Sequence, residues 1–216
     1  MSRYVFRKLA PEETPEMFRL IMGRVAWMDE VGIRQWNITK YDECYPPEYY
    51  AEHAAAGRIF CLEDAEFAVG RAGRTGDADC AGNANRADGA DCADGRIVAV
   101  GLLLEEDERW PDSSSADAPD SDGMPGKDET GRGVPAADAY YLHHFATAVG
   151  APKGVGGTFL EELERYAAEQ GKAWFRLDSA DDNETLEAYY TSRGYEPAGT
   201  CVDGLYTGIL RQKKLR

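Results

Sequence analysis

The chain lacks the features that would place it in a membrane or send it across one. No run of about 18 apolar residues occurs, so no spanning helix is expected. Met1 to Ala10 has no apolar core of the kind a secretory signal carries. Basic residues are few. The 24 Lys and Arg stand against 39 Asp and Glu, a net charge of -15. Nucleic acid is therefore not an expected partner, because a phosphate backbone needs a basic face. An anionic protein better tolerates a cationic substrate. Cysteine is limited to five, with no CxxC pair, which fits a reduced, cytoplasmic chain rather than a disulfide scaffold. Cys80 and Cys92 could pair or hold a metal, but they sit in a low-complexity stretch, and no metal is expected.

Two segments have little apolar bulk. Residues 71–96 are mostly Ala, Gly, Asp and Asn, and 111–137 carry Ser113-Ser114-Ser115 with several Asp, Pro and Gly. Such composition buries too little surface to offset the entropy of ordering, so both read as insertions into one domain that spans 1–216. Around them the pattern is regular. Tyr4 to Leu9 alternates as a strand. Thr14-Pro15 reads as a helix start, with Thr14 capping and Pro15 at the first position. That helix runs to Val31 and stops at Gly32. Pro47 to Ala56 is a second helix, and Arg58 to Glu63 and Ile97 to Leu104 are strands. At the other end, Tyr195 to Val202 and Leu205 to Leu210 are strands with Asp203-Gly204 as the hairpin loop. The order predicts an α/β (α+β) fold with a single mixed, mostly antiparallel sheet of about seven strands and helices on both faces.

The informative stretch is 140–195. Tyr140 to Val149 reads as a strand, Gly150 to Gly157 as a glycine-rich loop, and Thr158 to Gln170 as a helix ended by Gly171. A strand from Ala173 to Ser179 and a helix from about Asn183 to Arg193 follow. A glycine loop leading into a helix N-terminus is an anion site, because unpaired N–H groups and the positive end of the helix dipole converge there. Two other phosphate motifs fail. No Gly-Lys-Ser/Thr closes the run, and a GxGxxG begun at Gly154 and Gly156 meets Phe159.

The segments Leu142-His143-His144-Phe145-Ala146-Thr147, Lys153-Gly154-Val155-Gly156-Gly157-Thr158-Phe159-Leu160 and Arg176-Leu177-Asp178, with Asn183, Tyr190 and Gly194-Tyr195, resemble the GNAT superfamily of acetyl-CoA-dependent N-acetyltransferases. The resemblance extends over the chain outside the two insertions. It implies direct transfer of an acetyl group from acetyl-CoA to a primary amine of a small molecule or peptide. By resemblance the cofactor contacts are Phe145, Ala146, Thr147, Lys153, Gly154, Val155, Gly156, Gly157, Thr158, Asn183 and Tyr190. One position departs: the family carries Gln or Arg three residues before the first motif glycine, where this chain has Ala151.

The same resemblance puts Tyr190 where a phenol protonates the leaving thiolate; the bland alternative is a packed aromatic. Adjacent strand residues face opposite sides, so only one of His143 and His144 should face the site. His143 is the candidate base, since imidazole titrates near neutral pH, and a structural histidine is the alternative. Asp178 is a second candidate base. Asn183 either contacts the cofactor or caps its helix. Trp27 and Trp36 are candidates for the acceptor pocket, with Tyr49 and Tyr50 beside them. Expected partners are a small-molecule amine and a second copy of the chain. A non-catalytic acyl-CoA sensor on the same fold is the competing reading, motivated by Ala151 and the two insertions.

Overall fold

The computed structural model describes residues 3–64, 97–110 and 138–216. The proposed insertions at 71–96 and 111–137 lie outside the described residues. Strand β1 (Tyr4–Lys8) leads to helix α1 (Thr14–Val31), a short helix α2 (Tyr41–Cys44) and helix α3 (Pro47–Ala55). Strands β2 (Ile59–Asp64), β3 (Ile97–Leu104) and β4 (Ala139–Thr147) follow. Then come helix α4 (Val155–Glu169), β5 (Trp174–Ala180), helix α5 (Glu184–Ser192), β6 (Glu196–Asp203) and β7 (Tyr206–Lys214). The seven strands form one sheet in the order β1-β2-β3-β4-β5-β7-β6. Only β4 and β5 run parallel, and the crossover between them is helix α4.

Strand alternation divides the core between the two faces. Phe60 and Leu62 pack with Leu142, Phe159, Leu160, Leu163 and Tyr190 under α4 and α5. Their neighbours Ile59 and Cys61 pack with Met17, Ile21, Tyr50 and Ala54 under α1 and α3. The expected mixed sheet with helices on both faces is thus present.

Several boundaries differ from the expectation, each for a local reason. Thr14 does not cap α1: its hydroxyl donates to the Pro11 carbonyl at 2.6 Å, and Glu13 holds the N-cap position without a side-chain capping bond. Helix α4 begins at Val155, three residues early, because the left-handed φ of Gly154 (98°) ends the loop and the next two glycines, Gly156 and Gly157, are helical. The C-terminal hairpin turns at Gly204-Leu205, since Asp203 still pairs with Tyr206. Asp203 therefore belongs to β6.

Two irregularities shape the centre of the sheet. The register of β3 and β4 slips between Val100 and Leu102, so that two β4 residues, His144 and Phe145, face Gly101. His144 takes φ 51°, the left-handed conformation of a bulged residue. On its other side β4 pairs with β5 only from Ala139↔Trp174 to Leu142↔Leu177. Beyond that point the two strands part.

Gly101 lies opposite the bulge with no room to spare. A Cβ there would sit 3.0 Å from Leu142 Cδ1 and 3.3 Å from Phe159 Cε1. Gly101→Val should therefore overpack the sheet–α4 contact and lower stability by about 1–3 kcal/mol in a denaturant titration. An unchanged midpoint would show that the centre of the core has slack.

Candidate functional site

A cavity of about 1700 Å³ opens where β4 and β5 part. The loop end and first turn of α4, residues Lys153 to Gly157, form one end of its wall. Val155 and Thr158 already spend their N–H groups on Pro152 O (3.2 Å) and Gly154 O (3.0 Å). The N–H groups of Gly156 and Gly157 make no backbone bond within the described residues, and no acidic side chain lies in that turn. Amides of this kind at a helix start favour an anion. A Cβ on Gly156 would meet Thr147 Cγ2 at 3.4 Å, Phe145 Cζ at 3.7 Å and Tyr189 Oη at 3.9 Å, so a larger side chain would fill the cradle. The cradle is thus narrower than expected: Val155 contributes a buried side chain to the core and Thr158 no free amide.

Arg24 of α1 closes the far side of β4. It donates to Thr147 O at 2.6 Å and to Thr147 Oγ1 at 2.8 Å, and stacks on Trp27 at 4.6 Å. Trp27 therefore borders the cavity near the end of β4, while Trp36 lies against Tyr41, ring centroids 5.1 Å apart.

The bulge overturns the expectation that His143 and His144 face opposite ways. Both rings line the cavity, 6.3 Å apart. His143 Nδ1 accepts from Arg109 at 2.7 Å, and its Nε2 donates to Asp107 at 3.2 Å. Both of its nitrogens are thereby engaged. Arg109 also pairs with Asp178 at 2.9 Å, and Tyr206 donates to the other oxygen of Asp178 at 2.6 Å. Burial alone would raise the Asp107 pKa, but hydrogen bonds from His143 and Arg109 outweigh it and hold the carboxyl well below its usual range. Asp178 has both oxygens occupied in the same network, so neither carboxylate is a free proton acceptor.

His144 has a different setting. Its Nδ1 meets the Tyr41 hydroxyl, with Tyr50 Oη at 3.3 Å, and the rings of Tyr41, Tyr45, Tyr49 and Tyr50 surround it. Burial, then the charges of His143 and Arg109, push its pKa well below the ordinary imidazole value. With Nδ1 engaged, Nε2 is the ring nitrogen left for another partner.

Tyr190 is a packed aromatic that also borders the cavity. Its ring packs between Tyr189 and Tyr195, with centroids 5.2 and 5.5 Å away. The residue also lines the cavity, and its hydroxyl makes no hydrogen bond to the described residues. Burial pushes the phenol pKa up and keeps it protonated. Asn183 caps α5, its Oδ1 accepting from Leu186 N at 3.1 Å, as the local reading expected, and it lines the cavity too.

The sequence matches no family model and no curated protein. Solved structures do match over nearly the whole length. A GNAT-family acetyltransferase from Streptococcus agalactiae superposes with a TM-score of 0.63 at 18% identity, covering 98% of this chain and 95% of that one. One from Listeria monocytogenes gives 0.61 at 17%, covering 98% and 94%. The PaiA N-acetyltransferase of Thermoplasma acidophilum, solved with coenzyme A, gives 0.57 at 15%, covering 99% of each chain. The chain has the GNAT acetyltransferase fold. Within this fold, the parted strands, the α4 cradle and Tyr190 meet in one cavity.

Arg24, Tyr41, Tyr45, Asp107 and Arg109 were not singled out in the sequence. Arg109 and Asp107 fall between a clear strand and a low-complexity segment, where the local pattern reads as loop. No group of three side chains suited to a metal occurs among the described residues, and none of their helices is long and apolar enough to cross a membrane.

The His144 environment carries a pH prediction. Its folded pKa lies below the unfolded value, so the unfolded chain takes up the proton first as pH falls. Its contribution to stability is intact above about 6.5, the ordinary value, and is lost as pH drops toward the folded value. Thermal scans from pH 7 to 5 should show a falling Tm, with a shallower slope in His144→Gln. Equal slopes in the two proteins would mean that the histidine is not held neutral.

Proposed function

We propose that the protein is an N-acetyltransferase that moves the acetyl group of acetyl-CoA directly onto a primary amine of a small molecule. The observation that carries this reading is the end of β4–β5 pairing at Leu142↔Leu177, beside the α4 cradle and the Tyr190 hydroxyl. Beyond that pair, His143 to Thr147 has no β5 partner, so backbone groups in the middle of a sheet are left for an extended ligand to pair with. The α4 amides suit the pyrophosphate of CoA, and the gap between the strands suits its pantetheine arm. Acetyl-CoA supplies an acetyl group activated as a thioester.

The chain then has three tasks. N–H groups of Phe145 to Thr147 that face away from β3, on the side β5 leaves open, hold the carbonyl oxygen as it gains charge. His144 Nε2 takes the proton from the attacking amine, since its depressed pKa keeps it neutral at pH 7. Tyr190 gives its proton to the thiolate as the carbon–sulfur bond breaks. His143, held by Arg109 and Asp107, positions the wall rather than accepting a proton. Acceptor binding falls to the aromatic part of the wall, where Trp36, Tyr45 and Tyr49 line the same cavity as Glu106, Glu108 and Asp203. This acidic rim favours a protonated amine on arrival, which gives one proton to solvent before the neutral amine attacks and a second to His144 afterwards. A cytoplasmic location fits this reading, because acetyl-CoA is a cytoplasmic thioester donor.

The test is release of CoA thiol from acetyl-CoA across a panel of small amines, alongside calorimetric CoA binding. Tyr190→Phe should lower kcat by about 10²–10⁴-fold with CoA affinity nearly unchanged, because only the hydroxyl is lost. Gly156→Asp should abolish CoA binding by filling the cradle with bulk and negative charge. Tight CoA binding without turnover of any amine would favour the sensor reading. No CoA binding at all would end both.

A further inference from the structure

A further cation borders the cradle. The GNAT-like motif lacks its loop side chain at Ala151, yet a guanidinium stands on the first turn of α4 from another element. Arg193, which follows α5, lies directly against Gly157. A Cβ on Gly157 would fall 2.1 Å from Arg193 Nη2 and 2.9 Å from its Cζ. Gly157 is thus the residue that leaves space for this guanidinium. Tyr189 supports it from below, with Cζ 4.8 Å from the ring centroid. Arg193 Nη1 meets Glu161 Oε1 at 2.9 Å, but that carboxylate is 67% exposed. Such a pair contributes little and exchanges readily. Arg193, Gly154, Gly156 and Gly157 all line the same cavity.

We infer that Arg193 is the cation of the pyrophosphate site, replacing from α5 the side chain that is missing at position 151. This inference rests on the acetyl-CoA reading above. On binding, the guanidinium exchanges Glu161 for a phosphate oxygen, a charge-assisted bond that a planar fork makes well. Lys153 adds a second, exposed positive charge at the loop. The site thus divides its labour: α4 amides seat the pyrophosphate, and Arg193 neutralises it.

The test is calorimetric affinity for CoA, for 3′-dephospho-CoA and for pantetheine, in the intact protein at two salt concentrations. Arg193→Gln should weaken CoA roughly 10- to 100-fold, the span for one hydrogen bond to a charged group. It should weaken 3′-dephospho-CoA equally, leave pantetheine unchanged, and flatten the salt dependence. Gly157→Ala keeps the arginine but displaces it, so it should show the same loss. Its helix favours alanine, which keeps folding intact. Adding Ala151→Arg to Arg193→Gln should restore most of the affinity, because the missing cation returns by the other route. Three results would overturn the inference while leaving the cofactor reading in place: CoA binding indifferent to Arg193→Gln, a loss confined to CoA and absent for 3′-dephospho-CoA, or no rescue by Ala151→Arg. Failure of the unaltered protein to bind CoA would instead remove the cofactor reading and this inference together.

Discussion

Everything at the candidate site depends on where strand pairing stops. A parallel pair in the middle of a sheet normally continues to the ends of its strands, because an unpaired backbone group inside a protein is costly. Here β5 continues to Ala180, paired on its other side with β7, while β4 leaves it after Leu142. The bulge at His144 and Phe145 bends β4 at the same level, and Gly101 across the strand makes the bend possible. One displaced residue thereby opens a cavity and turns two histidines toward it.

The cavity has two electrostatic characters. Around α4, free amides, Lys153 and Arg193 favour an anion. Around the aromatic box, Glu106, Glu108 and Asp203 favour a cation, while the Asp107–Arg109–Asp178 network is largely satisfied within itself. This network engages both ring nitrogens of His143, whereas the tyrosines hold His144 through Nδ1 alone and Arg109 only adds a repulsive charge to it. The overall charge of -15 therefore does not oppose binding of a polyanion, because the cations are local to the cradle.

Much of the fold was legible in the sequence because its signals are local. The apolar run Ile97–Leu104 is a strand from end to end, and Asn183 caps a helix as its side chain dictates. The glycine loop was found, but its boundary was misplaced: glycine discourages helix by propensity, yet tertiary packing holds Gly156 and Gly157 in the first turn. The bulge was not legible, since it depends on Gly101, more than forty residues earlier in sequence. Arg193 was legible only as a helix end. Its placement on Gly157 is a contact between two helices, which no spacing along the chain reveals.

The central claim is that the parted β4 and the first turn of α4 form one binding surface for acetyl-CoA. Amide hydrogen exchange with and without CoA tests it most directly. New protection is expected in two segments, His143 to Thr147 and Lys153 to Thr158, with β1, β2 and the β6–β7 hairpin unchanged. CoA binding that leaves both segments exchanging at their free rates would contradict it.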